Sequence, residues 1–232
     1  MPTPLQQACV ARSLLAPSGG HYLQQLVCEW SEPLQTDAWK RAWDFVTGRH
    51  EVLRASFHWN HTGEMVQDFA DMVVVPMEIV RADSIAANRD QIVADFLRAD
   101  RTRGFNLAAA PLWRLTIFPW TDREATTVWT FHHSLLDGRS HLLVWQEVET
   151  VYRAMLNRAE PVLSPAKPFR EFPAWLASVP TEPAATYWRE RMRGFQSATD
   201  LPTLSSSQDS GEDDFPPAME TRVLPAEVVV QL

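Results

Sequence analysis

Apolar positions change their spacing several times along the chain, and each change marks an element. Residues 4–15 read as a helix, followed by a turn at Pro17-Ser18-Gly19-Gly20. Loose alternation over 21–31 predicts a strand. Trp39, Ala42, Trp43 and Val46 then fall at helical spacing, with Thr36 or Asp37 placed to cap and Gly48 placed near the stop. That stripe reads as core rather than as a cofactor box. Leu53 to Trp59 and Glu64 to Phe69 form a predicted hairpin around Asn60-His61-Thr62-Gly63. Val73 to Val80 is apolar and β-branched, and Pro76 assigns it to an edge or a bulge. A second helix is capped by Ser84 and carries Ile85, Ile92, Val93, Phe96 and Leu97 on one side. Strands follow over 112–119 and 125–132, joined by Thr121-Asp122-Arg123-Glu124. A third long helix starts near Gly138, with Leu142, Trp145, Val148, Tyr152 and Met155 every three or four residues.

After residue 158 the texture changes. Ten of the seventeen prolines lie between Pro161 and Pro225. Short helices are expected at 169–178 and 182–193. The polar, acidic run from Ser205 to Asp214 reads as a loop. Met219 to Leu224 reads as a last strand, and Pro225 is placed to begin a helix. The sequence stops inside the apolar run Val228-Val229-Val230-Gln231-Leu232, without a cap or a glycine. It is therefore expected to be a piece of a longer polypeptide.

Composition narrows the class. With 45% apolar residues and ten tryptophans, 232 residues can bury a substantial core. The net charge is -8, and the scattered Lys and Arg form no basic patch for nucleic acid or anionic lipid. No run approaches the ~18 apolar residues of a membrane span. The N-terminus lacks the charged start and apolar stretch of a signal peptide. Cys9 and Cys28 make neither a disulfide framework nor a metal-ligand spacing. They read as reduced thiols in a cytoplasmic protein.

The chemistry centres on His132-His133-Ser134-Leu135-Leu136-Asp137-Gly138. The two histidines follow an extended run, on which neighbouring side chains point to opposite faces. They cannot readily converge on one metal. One histidine is expected in a working cleft and the other packed or hydrogen-bonded behind it. Imidazole titrates near ~6.5 in water, so a neutral histidine can act as a general base at physiological pH. Gly138 suits a tight turn with positive φ. Two roles compete for Asp137: capping the third long helix, or pairing with an arginine to brace the histidine loop.

Several stretches together resemble the condensation domains of nonribosomal peptide synthetases, members of the chloramphenicol-acetyltransferase-like superfamily. Pro4-Leu5-Gln6-Gln7 through Ser13-Leu14-Leu15-Ala16-Pro17 is similar to the family's opening motif. Arg49-His50-Glu51-Val52-Leu53-Arg54-Ala55-Ser56-Phe57 matches the second closely. Phe131 through Gly138 matches the active-site motif, with Ser140 in place. Phe169-Arg170-Glu171-Phe172-Pro173-Ala174-Trp175 resembles the fourth more loosely, followed by Tyr187-Trp188. Gly104-Phe105-Asn106-Leu107 with Pro111-Leu112 is similar to a further stretch, in which Asn106 stands where the family often has Asp.

The resemblance implies an α/β sandwich: a chloramphenicol-acetyltransferase-like subdomain whose mixed or antiparallel sheet is flanked by helices. Two such sandwiches make the family's V-shaped domain, with the active site in a tunnel between them. Residues 1–178 would supply the first sandwich with the active-site motif. Residues 179–232 would supply the connecting segment and the start of the second. The resemblance further implies amide formation between a carrier-bound acyl or peptidyl thioester and a carrier-bound aminoacyl acceptor. His133 would be the general base or would position the amine, with His132, Asp137 and Gly138 completing the motif. Asp137 would be structural and paired with an arginine, Arg54 first and Arg49 second. No metal or directly bound cofactor is implied; phosphopantetheine arrives on carrier proteins. The implied partners are peptidyl and aminoacyl carrier proteins, the missing C-terminal subdomain and an adenylation domain. Related families use the same motif for ester formation or epimerisation, and some condensation-like domains are noncatalytic docking modules or remnants. Half of a two-sandwich domain is expected to be inactive or weak alone.

Overall fold

A computed structural model describes residues 1–16, 19–81 and 88–197, all within one compact unit, Met1–Pro202. Ser84 and Ile85, the acidic run 205–214, the strand at Met219–Leu224 and the helix at Pro225 lie outside the described residues.

Helix α1 (Pro4–Leu15) opens with a capping box. The Thr3 hydroxyl accepts from Gln6 N–H, and the Gln6 side chain accepts from Thr3 N–H. Strand β1 (Leu23–Trp30) and helix α2 (Thr36–Arg49) follow. A 3₁₀ turn at Glu51–Arg54 leads into the hairpin of β2 (Ala55–Trp59) and β3 (Met65–Phe69). Next come β4 (Met77–Ile79), α3 (Arg89–Arg103), β5 (Trp113–Pro119), β6 (Ala125–His132) and α4 (Ser140–Leu156). Two shorter helices, α5 (Glu171–Ser178) and α6 (Glu182–Arg191), close the described chain.

Among the described residues, four strands form one sheet in the order β1-β6-β5-β4. The β1–β6 and β6–β5 pairs are antiparallel and β5–β4 is parallel, so the sheet is mixed. Every residue of β6 is buried. That requires cover on both faces, and alternation along β6 and β5 distributes the cover. Trp113, Leu115, Ile117, Trp129 and Phe131 enter a core shared with Trp39, Trp43 and Val46 of α2 and Val144, Val148 and Val151 of α4. Phe118 and Val128 face the other way, against Ile92, Val93, Phe96 and Leu97 of α3. The architecture is a sheet sandwiched between α2/α4 and α3.

Four sequence expectations shift locally. Helix α2 is preceded by Gln35 rather than capped by Thr36 or Asp37, and Gln35 N–H is satisfied by the Tyr152 hydroxyl of α4 at 2.9 Å. Gly48 does not stop α2, which runs on to Arg49 and is followed by extended His50. Only Met77–Ile79 of the 73–80 stretch pairs, at the sheet edge that Pro76 anticipates. Leu142 is half-exposed rather than in the core stripe of α4, where Val144 and Val151 take the inward positions.

The α3 face contains a buried ion pair. Asp100 is 3% exposed, and its carboxylate accepts from Arg114 Nε at 2.5 Å, Thr130 Oγ at 2.6 Å and Gln25 Nε2 at 3.0 Å. Arg114 also donates to the carbonyls of Asp100 and Gly104, both at 2.7 Å, and lies 4.3 Å from the Phe105 ring. These contacts tie α3 to β1, β5 and β6 at the end where β6 runs into His132.

Candidate active site

The two histidines diverge as strand alternation requires. His132 is 3% exposed. Ser134 N–H donates to its Nδ1 at 3.2 Å, so Nδ1 is an acceptor and the proton sits on Nε2. Nε2–H then donates to Ser13 Oγ at 2.9 Å, and Ser13 donates to the His21 carbonyl at 3.1 Å. Ser134 Oγ lies 2.7 Å from Nδ1. Burial first, and the neighbouring His133 second, push the His132 imidazole down to about 4. Both of its nitrogens are engaged, so His132 is a neutral brace and not a catalytic group.

His133 is half-buried. Its backbone N–H donates to the Tyr22 carbonyl at 2.6 Å, and its Nδ1 lies 2.6 Å from the Leu136 carbonyl. A carbonyl only accepts, so Nδ1 carries the proton in the neutral ring and Nε2 holds the lone pair. Among the described residues none hydrogen-bonds Nε2. Tyr22 stacks on the ring with centroids 6.3 Å apart and planes at 28°.

Asp137 takes the capping role. Its Oδ1 accepts from Ser140 N–H at 2.7 Å and Arg139 N–H at 3.1 Å, at the first turn of α4. Hydrogen bonding from Ser140, foremost, holds its carboxyl below the usual range. The expected pairing with Arg54 or Arg49 is not formed, because both arginines are committed elsewhere. The Arg54 guanidinium donates to the carbonyls of Thr47, Ala70 and Asp71. Arg49 donates to Glu147 Oε2 at 3.0 Å and to the Ser164 carbonyl, tying the end of α2 to α4. Asp137→Ala is therefore expected to cost about 1 kcal/mol, the usual worth of a cap, rather than to block folding. Asp137→Asn should keep most of it, and urea denaturation at pH 7 distinguishes the two. Gly138 is a further correction: its φ is not positive, and a Cβ there would meet nothing within 4 Å. The turn does not need glycine's freedom.

The separated sequence motifs converge around this loop. From the opening motif, Gln6 Nε2 donates to the Ser134 carbonyl at 2.9 Å, beside the Ser13–His132 bond. From the second, Glu51 is 8% exposed and binds Arg170 of the fourth through its backbone N–H and guanidinium. Those bonds hold the Glu51 carboxyl low. Leu135 and Leu136 turn into the core. Tyr22 and the buried Asp100–Arg114 pair are missing from the sequence reading. A signal for the pair was present, as Arg114 and Thr130 are polar side chains inside otherwise apolar strands.

The family model described as "Condensation domain" matches residues 2–228. The chain belongs to the condensation domain family. This condensation domain is 34% identical over 205 residues to part of the linear gramicidin synthase of Brevibacillus parabrevis, covering 86% of this chain and 4% of the matched polypeptide. It is 26% identical over 211 residues to bacitracin synthase 1 of Bacillus licheniformis, covering 90% of this chain and 4% of that protein. Among solved structures, the starter condensation domain of rhizomide synthetase RzmA superposes with a TM-score of 0.73 at 18% identity. That match covers 82% of this chain and 47% of the other. The first condensation domain of the calcium-dependent antibiotic synthetase, in complex with a substrate analogue, gives 0.70 at 20% identity, covering 83% and 47%. The condensation-domain fold, a mixed sheet flanked by helices, is thus shared, and the chain spans about half the length of these solved domains. Among the described residues no helix is long and apolar enough to cross a membrane.

Proposed function

We propose that this condensation domain contributes the base-bearing wall of an amide-forming site. The donor is an acyl or peptidyl thioester on one carrier protein, and the acceptor is an aminoacyl thioester on another. The observation that carries the reading is His133, whose Nδ1 is tied to the Leu136 carbonyl so that Nε2 keeps its lone pair. In the reaction the acceptor amine attacks the thioester carbonyl and the C–N bond forms. The amine proton passes to Nε2. The tetrahedral intermediate collapses, the C–S bond breaks, and the carrier thiolate leaves and takes up a proton. A thioester is already activated, so the site must supply proximity and a proton acceptor. Carrier proteins, the second sandwich and an adenylation domain are the partners that this chemistry calls for, and the cytoplasm is where such a synthetase would work.

In the complete domain, His133→Ala is expected to lower single-turnover amide formation at least tenfold, the low end for a general base. An unchanged rate would remove His133 from the chemistry.

A further inference from the structure

Tyr22 sits just before β1, beyond the last β1–β6 pair, Leu23 with His132. Continuing the register places it beside His133. Its backbone does not continue the strand: φ is 57°, a left-handed conformation unusual for a bulky aromatic residue. That conformation coexists with two contacts to one neighbour. The Tyr22 carbonyl accepts His133 N–H at 2.6 Å, and the phenol ring stacks on the imidazole.

The strained turn is held from α3. Arg101 Nη1 donates to the Leu23 carbonyl at 3.1 Å and reaches the Gly20 carbonyl at 3.5 Å, on either side of Tyr22. Gly20 itself has φ 58°, and a Cβ there would lie 2.2 Å from Arg101 Cγ. Backbone strain that the surroundings over-determine in this way is a feature of functional sites.

The hydrogen bond from Nδ1 to Leu136 fixes one atom of the imidazole and leaves the ring free to swing about that bond. A ring packed on its face removes that freedom and fixes the direction of Nε2. Misplacing a reacting group by ~1 Å can cost ~10²-fold. We infer that Tyr22 is a positioning residue for His133, its left-handed backbone anchoring the loop and its ring setting the direction of the imidazole. This rests on the acyl-transfer reading of His133.

Two variants separate ring from backbone. Tyr22→Phe keeps the stack. Tyr22→Gly removes the ring but accepts positive φ without strain, so the His133 N–H bond should survive. In the ¹⁵N-histidine-labelled 232-residue chain, wild type and Tyr22→Phe should show His133 with a protonated Nδ1 and a bare Nε2. Tyr22→Gly should move those resonances toward tautomer-averaged values, while the His133 amide stays protected from exchange. In the complete domain, Tyr22→Phe should stay within twofold in single-turnover rate and Tyr22→Gly should fall at least fivefold. An imidazole spectrum unchanged in Tyr22→Gly would overturn the inference, as would equal rate losses in both variants. A changed spectrum alongside an unaffected His133→Ala rate would sink the acyl-transfer reading but leave the positioning contact intact.

Discussion

Asp100→Ala is expected to destabilise the fold by about 3–5 kcal/mol, the cost of leaving a buried charge without its partner. The carboxylate receives Arg114, Thr130 and Gln25, and the Asp100 side chain is almost wholly buried. Alanine would leave the Arg114 guanidinium between α3 and the sheet with only two carbonyls and the Phe105 face. Against a typical total of about 5–15 kcal/mol, that loss threatens folding at 37 °C. Asp100→Asn should lose less, because the amide keeps an oxygen for Arg114. The double change Asp100→Leu with Arg114→Met should recover most of the stability, since apolar replacement of a buried pair is often neutral. Urea denaturation of these proteins, with the single changes Asp100→Leu and Arg114→Met added, closes a double-mutant cycle. A loss below about 1 kcal/mol in Asp100→Ala would show that water reaches the pair. The site should feel this change too: Thr130 lies two residues before His132, and Arg101, next to Asp100, holds the Tyr22 turn.

Lowering pH should expose the second large effect. His132 titrates at about 4 in the folded chain and near ~6.5 when unfolded. Between those values the unfolded state binds the proton and the native state does not. Stability therefore falls as pH falls through this window and is unaffected by His132 above it. The expected loss is about 2 kcal/mol at pH 5 and about 3 kcal/mol near pH 4, relative to pH 7. The cause is desolvation, with Nδ1 already accepting from Ser134 N–H and so having no lone pair to protonate cheaply. Asp137 and Glu51, both shifted downward, lose their contributions only at lower pH. His132→Asn should flatten the slope between pH 7 and 5, whatever it does to stability at pH 7. Equal slopes in wild type and variant would mean that His132 is protonated in the native state at pH 5.

Much of this protein is determined locally, and there the sequence suffices. The span of α1, the β2–β3 hairpin around Asn60–Gly63 and the pairing segments of β5 and β6 follow from periodicity and turn chemistry. The divergence of His132 and His133 follows from the twofold alternation of a strand, and with it the case against a shared metal. The motif resemblance pointed to the family and fold. Its arginine partner for Asp137 did not survive, because the backbone N–H groups of Arg139 and Ser140 lie nearer in sequence and in space. What the sequence left open depends on contacts between distant segments. Which histidine is the brace was settled by Ser13, 119 residues away, and by Ser134. The start of α2 is satisfied by Tyr152, not by its own side chains. Tyr22 reaches His133 only because β1 pairs with β6. Periodicity says which face a side chain occupies; only the folded chain decides what stands opposite it, and for His133 that decides which nitrogen is left bare.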